Sequence, residues 1–420
     1  MQILLRAHKN PFKVAGPYRT LSGDLMGGNA GNLLFSQAAY RLLSTSDARI
    51  DTHKLIGLDP GHINESYDQV VVPLANAFRP SFTNELRAMT DLFSRLTIPV
   101  VVIGVGAQGP VSGKIAPSAL DEVVKDFTAS VLDHSASMGV RGEVTAAYLK
   151  RLGFGPSMVD VTGCCSMFMD GPHLEVVPKT QELTRDSRVS FNVSPYVSQM
   201  AQVALDHAER YPNLVYTAQD RFTLALMLTG TYDARAPHPA GSPTSMEHPL
   251  FKQNRVRFCL DPAMWIAHLE HFDFSFGTRI HGNIAALLSR VPAVVLAHDS
   301  RTLELAEYHA IPYRVLSKSE GVDAAQLYTG ADWAPMLAGH AERWDRMTAF
   351  LVQNGLRHVY MDGESPEPFD RRLAATRFPR PIQVGGTWLT RRETSALRLA
   401  AKAKAVLSIG KSGGTISSSP

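Results

Sequence analysis

Arg279 and His281 stand two residues apart in the run Phe274-Ser-Phe-Gly-Thr-Arg-Ile-His-Gly-Asn283. Arginine offers a planar fork for a phosphate or a carboxylate. Histidine exchanges a proton near neutral pH. Together they can hold a small polyanion and do acid–base work on it. Gly282 and Asn283 extend the run into a helix start. Two further arginines occupy comparable places, Arg141 in Met138-Gly-Val-Arg-Gly-Glu143 and Arg301 in His298-Asp-Ser-Arg301. Two glycine-rich segments could bring backbone close to a ligand. Gly23-Asp-Leu-Met-Gly-Gly-Asn-Ala-Gly-Asn32 presents Gly28, Asn29 and Asn32 to a phosphate or a sugar hydroxyl, or uses the asparagines as turn and helix caps. Gly104-Val-Gly-Ala-Gln-Gly109 presents Gln108.

The elements around these residues must place them. An apolar strand over Phe272–Phe276 precedes Arg279, a helix over Asn283–Leu288 follows, and the strand Ala293–Ala297 runs into the polar turn His298–Arg301. Arg279 and His281 therefore sit where a strand ends and a helix begins, the place where open α/β sheets bind ligands. A helix start adds unpaired N–H groups and partial positive charge.

The same alternation runs through the chain. Apolar runs at Ile3–Leu5, Gln69–Leu74, Pro99–Val105, Met138–Arg141 and Met158–Thr162 read as strands. Helical patterns at Gly31–Leu43, Phe82–Leu96, Ser118–Leu132 and Glu143–Leu152 separate them. After a polar linker at Pro178–Asp186, a second series has strands at Val189–Val193, Leu214–Thr217, Val256–Leu260, Phe272–Phe276 and Ala293–Ala297. Its helices fall at Val197–Arg210, Arg221–Leu228, Pro262–His271, Asn283–Leu288 and Leu303–His309. The segment 232–250 reads as a long surface loop. The expected architecture is α/β, with two Rossmann-like domains whose mostly parallel sheets face a central cleft, as in the GT-B arrangement. The expected boundaries are 1–177, 187–330, helices at 331–375 packing back on the domains, and a basic flexible tail at 376–420.

Composition bounds the function. The chain has 420 residues, 45% hydrophobic and 19% charged, as an ordinary globular enzyme has. Its net charge of +3 conceals a split, because residues 371–420 hold ten Lys/Arg against the single acid Glu393. The body is thus net acidic, which excludes a general nucleic-acid binder. Within the tail, Thr390–Leu407 reads as a basic helix that could touch an anionic membrane. No apolar run reaches the roughly 18 residues of a membrane span, and the N-terminus lacks an apolar leader. A cytoplasmic protein is expected, with the tail able to meet the inner face of a membrane.

Several familiar chemistries are excluded by residue type. Gly104–Gly109 matches the dinucleotide pattern, but Pro110 and Pro117 delay the helix that such a site needs at once. The N-terminal glycines lack the Lys-Ser/Thr of a P-loop. Cys164 and Cys165 are adjacent, where a disulfide forms only with strain, and neither has a His or Asp close in sequence to make it a nucleophile. His268 and His271 share a helix without a third ligand, so no metal is expected.

Taken together, GTRIHGNIAALLSRVPAVVL followed by HDSRT, with GNAGN, IGVGAQG, VRGEVTAAYLKRLGF and VTGCCS before it, resembles the polysaccharide pyruvyl transferase family across roughly residues 20–315. The resemblance implies a GT-B-like fold. It also implies transfer of pyruvyl from phosphoenolpyruvate to two hydroxyls of a sugar, giving a ketal and phosphate in the biosynthesis of an exopolysaccharide or cell-surface glycan. The partners would be phosphoenolpyruvate, as co-substrate with no other cofactor, and a glycan or lipid-linked sugar. By the resemblance Arg279 and His281 bind the donor and His281 is the acid. The donor clamp would be Arg279, Gly282, Asn283, Arg141 and Arg301, with Gly28, Asn29, Asn32 and Gln108 on the acceptor or loop side. Asn32 stands where many members have Asp, and Cys165 where Pro is expected. The competing expectations are a GT-B glycosyltransferase using a nucleotide sugar, with Asp261 placed to grip a ribose, and a non-catalytic sugar- or anion-binding protein.

Overall fold

Runs of Val, Ile and Leu that cannot be left in water become strands buried on both faces. A computed structural model describes residues 1–233, 238–317, 321–397 and Leu399. The first series gives β1 (Gln2–Arg6), β2 (Arg49–His53), β3 (Gln69–Pro73), β4 (Val100–Ile103), β5 (Met138–Val140) and β6 (Val159–Val161). A four-stranded parallel sheet runs β2-β1-β3-β4, and the parallel pair β5-β6 continues it through a backbone bridge between Val105 and Val140. The second series gives β7 (Val189–Asn192), β8 (Val215–Ala218), β9 (Val256–Phe258), β10 (Phe274–Gly277), β11 (Ala293–Ala297), β12 (Tyr313–Val315) and β13 (Ile382–Gln383). These form a seven-stranded sheet in the order β12-β11-β10-β7-β8-β9-β13, with only β13 antiparallel. Two α/β lobes with mostly parallel sheets thus face a central cleft, a GT-B-like arrangement.

The outer face of the first sheet has a core of its own, around Val70, Val102, Phe93 and Phe127, but its inner face shares one with the second lobe. One apolar cluster runs from the helix Gly31–Leu43 through Phe168 to β10, the helix Ile280–Leu288 and Met347. The helix His340–Gln353 returns to the N-terminal lobe, where Phe350 fills the space left by Gly139; a Cβ there would lie 2.9 Å from the ring. Gln69 Nε2 then donates to the Asn354 carbonyl at 2.9 Å, and Arg41 forks onto Asp370 through two 2.7 Å bonds.

The structure departs from the sequence reading where polar edges and caps decide. β2 was not expected, because in Arg-Ile-Asp-Thr-His only Ile50 is buried. The helix expected from Asn283 begins at Ile280. The one expected from Leu303 begins at Ser300, because Asp299 accepts from the Thr302 N–H at 3.1 Å and forms a capping box. In 232–250, expected as a surface loop, Ser242, Thr244 and His248 are buried and Pro249–Lys252 is helical; residues 234–237 lie outside the described residues. The tail expected to be flexible from 376 supplies β13 to the second sheet. Of the helix expected over Thr390–Leu407, residues 391–397 are helical, and beyond them only Leu399 is described.

Candidate active site

The strand-to-helix turn at Arg279 is rigid because its polar groups are consumed in building it. Gly277 has φ +147°, and a Cβ there would overlap the Asn192 carbonyl oxygen, so β10 can cross the end of β7 only with glycine at this position. Asn283 is fully buried. Its amide donates to the Gly277 carbonyl at 3.0 Å, and its oxygen accepts from Asn192 Nδ2 at 2.9 Å and Ser275 Oγ at 3.2 Å. Asn192 Oδ1 accepts from the Arg279 N–H at 2.9 Å. Arg279 is thereby fixed as the residue before the helix. Its guanidinium lies 5.9 Å from the centre of the Tyr196 ring and 3.9 Å from Asp220 Oδ2. Gly282 faces the side chains of Gln219 and Asn192, with no room for a Cβ.

His281 points out of the helix toward the other lobe. It is 9% exposed, and its Nε2 lies 3.6 Å from Cys164 Sγ. On the opposite side the ring packs on Gly31, where a Cβ would come within 2.8 Å of Nδ1. Cys164 follows Gly163, whose φ of +74° turns the chain out of β6. Its backbone N–H donates to His309 Nε2 at 3.0 Å and its thiol lies 2.8 Å from Ser166 Oγ. Burial pulls His309 down to about 3, so it stays neutral and accepts this bond. The neighbouring Cys165 thiol, then His281 and Arg141, hold Cys164 well below its usual 9.0, against burial acting the other way. Cys165 itself lies 3.3 Å from the Phe35 carbonyl.

Arg141 lies beneath this group. It is 2% exposed, and Gly106 leaves space for it, since a Cβ there would sit 3.0 Å from Arg141 Cδ. Its charged neighbours are Cys164, Glu304, Arg301 and Asp299. Its Nε and Nη2 have no hydrogen-bond partner among the described residues. The two strand-end motifs, of Arg141 and of His281, meet through Cys164, which answers to both.

The remaining expected residues sort by what their side chains already do. Arg301 pairs with Asp299 at 2.6 Å and donates to the Tyr196 hydroxyl at 3.0 Å, beside the Tyr196 ring on which Arg279 lies. Asn29 Oδ1 accepts from the Gly31 N–H at 2.7 Å, and Asn32 Nδ2 donates to the Met26 and Gly27 carbonyls. The glycine loop is tied to the second lobe, with the Ala30 N–H on the Gln219 carbonyl at 2.8 Å and the Arg221 N–H on the Gly28 carbonyl at 3.1 Å. These two asparagines therefore shape the loop instead of reaching out from it, as Gly282 and Asn283 shape the helix start. Gln108 Oε1 accepts from Asn76 Nδ2 at 2.9 Å. Next to it, the Gly109 N–H donates to Ser300 Oγ at 2.8 Å, a clasp between the lobes.

With this geometry in place, comparison with known sequences is decisive. The sequence profile described as polysaccharide pyruvyl transferase matches residues 29–300, more than half of the chain. The chain belongs to the polysaccharide pyruvyl transferase family. No curated protein matches it significantly. Among solved structures it is similar to a UDP-N-acetylglucosamine 2-epimerase of Rickettsia bellii (10% identity, 84% of this chain and 95% of that chain, TM-score 0.44). It is similar also to the UDP-GlcNAc 2-epimerase of Methanocaldococcus jannaschii in complex with UDP-GlcNAc and UDP (12% identity, 89% and 99%, TM-score 0.39). The fold assignment rests on the strand order above and not on these.

For this member of the family, sequence reasoning missed Cys164. It discounted the cysteine because no partner was near in sequence, whereas the partner comes from the other lobe, 117 residues on. The signal was present as position: VTGCCS ends a strand, as GTRIH does. It also missed Arg6 and Arg79, which with Asn32 and Asn76 line a cavity beside the glycine loop. Asp261, expected as a ribose grip in the competing reading, is instead buried against Lys9. Among the described residues, no cluster of His, Cys, Asp and Glu could hold a metal ion, and no helix is long and apolar enough to cross a membrane.

Proposed function

We propose that this family member transfers a pyruvyl group from phosphoenolpyruvate to two hydroxyls of a sugar, forming a ketal and releasing phosphate. The observation that carries this reading is the convergence around Cys164 of His281 with Arg141, whose buried Nε and Nη2 have no hydrogen-bond partner among the described residues. Buried donors left without an acceptor are costly, and phosphoenolpyruvate carries two anionic groups that could accept from them.

Ketal formation needs a proton on the methylene carbon of the donor, which leaves a cationic centre at C2. One sugar hydroxyl attacks there, phosphate leaves, and the second hydroxyl closes the ring. Of the two hydroxyl protons released, one balances the proton taken up by carbon and the other goes to phosphate. Arg279 and Arg141 would neutralise the donor, His281 would deliver the proton, and Arg301 would orient the carboxylate while holding Asp299. Gly282 and Asn283 support this indirectly, through the rigidity of the turn.

The test is phosphate release from phosphoenolpyruvate, with thermal shift read against a panel of nucleotide sugars. Release that requires a diol-bearing glycan, together with stabilisation by phosphoenolpyruvate, supports the proposal. Stabilisation by a nucleotide sugar alone transfers Arg279 and His281 to a diphosphate and makes the protein a glycosyltransferase. That competing reading has lost Asp261, which Lys9 occupies. Binding without turnover would indicate a sugar- or anion-binding protein.

A further inference from the structure

The N-terminal lobe holds two arginines that the donor does not require. Phosphoenolpyruvate has one phosphate and one carboxylate, and Arg279, Arg141 and Arg301 already exceed that need. Arg6 and Arg79 lie apart from them, at and beyond the ends of β1 and β3, on a cavity of about 80 Å³ closed by Gly27, Asn32, Asn76 and Phe82. That volume admits several waters or one small anion. Both guanidiniums rest on Phe82, Arg79 at 4.9 Å and Arg6 at 6.0 Å from the ring centre, which holds them side by side despite their like charge.

Neither arginine has a counter-charge. Among the described residues no carboxylate comes within ion-pair distance of either; Glu85 is the acid whose field they feel. Arg6 spends one weak bond on the Pro73 carbonyl at 3.4 Å, and its Nε is buried with no partner. Arg79 spends Nε on Ser81 Oγ at 3.0 Å. Burial draws Arg6 down only to about 10, so it remains a cation at neutral pH. His8 on the same wall is drawn to about 4 by burial, then by the charge of Arg6, and is neutral. Asn76 leaves its Oδ1 buried and unpartnered while Gln108 holds its amide. Arg79 also feels the charge of Arg301, one of the arginines of the proposed donor clamp.

We propose that Arg6 and Arg79 form an anion subsite for the acceptor, so that the sugar receiving the pyruvyl group carries a phosphate or carboxylate of its own. This rests on the pyruvyl-transfer reading for what the neighbouring site does, but not for the binding itself. The anion would bridge the two guanidiniums and take the place of the missing counter-charge. Specificity would follow, because a neutral sugar would leave both cations unpaired.

The experiment measures binding calorimetrically to the full chain, with phosphoenolpyruvate present and absent. The probes are N-acetylglucosamine 1-phosphate, glucuronate and N-acetylglucosamine. One or both anionic sugars should bind at least about tenfold more tightly than the neutral one, the worth of one charged hydrogen bond. Arg79→Gln should remove that preference, and Arg6→Gln likewise, while both variants still bind phosphoenolpyruvate. The two anionic arms separate phosphate from carboxylate as the recognised group. Equal binding of the neutral sugar would overturn the subsite, as would failure of all three to bind. Displacement of the bound sugar by phosphoenolpyruvate would also overturn it and assign the cavity to the donor. If the anionic sugar binds through Arg79 but phosphoenolpyruvate binds nowhere, the subsite stands and the pyruvyl-transfer reading falls.

Discussion

Cys164 Sγ lies 3.6 Å from His281 Nε2, one residue from each lobe. The imidazole proposed as the acid is therefore oriented by a thiol that is present only when the two sheets are docked. His281→Ala should lower turnover by about 10²–10⁴-fold, the usual share of a general acid, with an unchanged circular dichroism spectrum. Cys164→Ala should cost about tenfold in kcat through the lost hydrogen bond and displace the alkaline limb of the pH–rate profile, where a general acid loses its proton, while Cys164→Ser recovers most of the rate. Identical pH profiles for wild type and Cys164→Ala would remove the thiol from any role in orienting His281.

Glu304 carries a pH dependence that can be read without substrate. Its carboxylate, on the second lobe, accepts from the Thr145 N–H at 2.6 Å and Oγ1 at 3.1 Å on the first. Burial raises it from 4.5 to about 7. The folded chain then binds this proton more tightly than the unfolded chain. The contribution of Glu304 to stability is therefore fullest below about 4.5 and declines as pH climbs to about 7, by roughly 3 kcal/mol. Urea denaturation across this window should show a slope that Glu304→Gln flattens. Parallel curves for the two proteins would contradict the buried, proton-binding Glu304.

Lys9 and Asp261 form a buried ion pair between the lobes, their side chains 2% and 1% exposed. Removing one partner leaves the other charge in an apolar setting. Lys9→Met should cost about 3–5 kcal/mol, and Lys9→Met with Asp261→Leu should recover most of it. A double variant no more stable than the single one would show that the pair is not coupled.

Gly277 and Gly28 offer a contrast between two kinds of glycine. A methyl at Gly277 meets the Asn192 carbonyl, and Asn192 in turn positions Arg279 and Asn283. Gly28, at φ +80°, has open space around it. Gly277→Ala should cost roughly 4 kcal/mol or more, in the exceptional range, against about 1 kcal/mol for Gly28→Ala. Denaturation midpoints that fall by equal amounts would refute the close approach of β10 to β7.

What the sequence made legible was whatever depends on short-range pattern. Val100–Ile103 and Ala293–Ala297 are strands because unbroken apolar runs of that length have one economical burial, and Arg279 falls at a strand end for the same reason. β2 was hidden because an edge strand with one buried residue looks like a loop. The hydrogen-bond partners of Asn29, Asn32 and Asn283 were not legible, because an asparagine's partners are set by where the backbone turns, and a propensity cannot show that. Cys164, Arg6 and Arg79 were overlooked for a further reason. Each matters through a neighbour brought by a different strand, and sequence separation carries no trace of such proximity.

The return of the helix His340–Gln353 to the first lobe has a consequence for how the molecule can be handled and how it can diverge. Phe350 and Asn354 complete the wall around Gly139, Ser137 and Gln69. A chain cut after the first sheet would leave that wall open to water and its apolar floor adhesive. Neither half is a transplantable module, and chimaeras that exchange lobes between relatives must carry this helix with the first lobe even though it is encoded after the second.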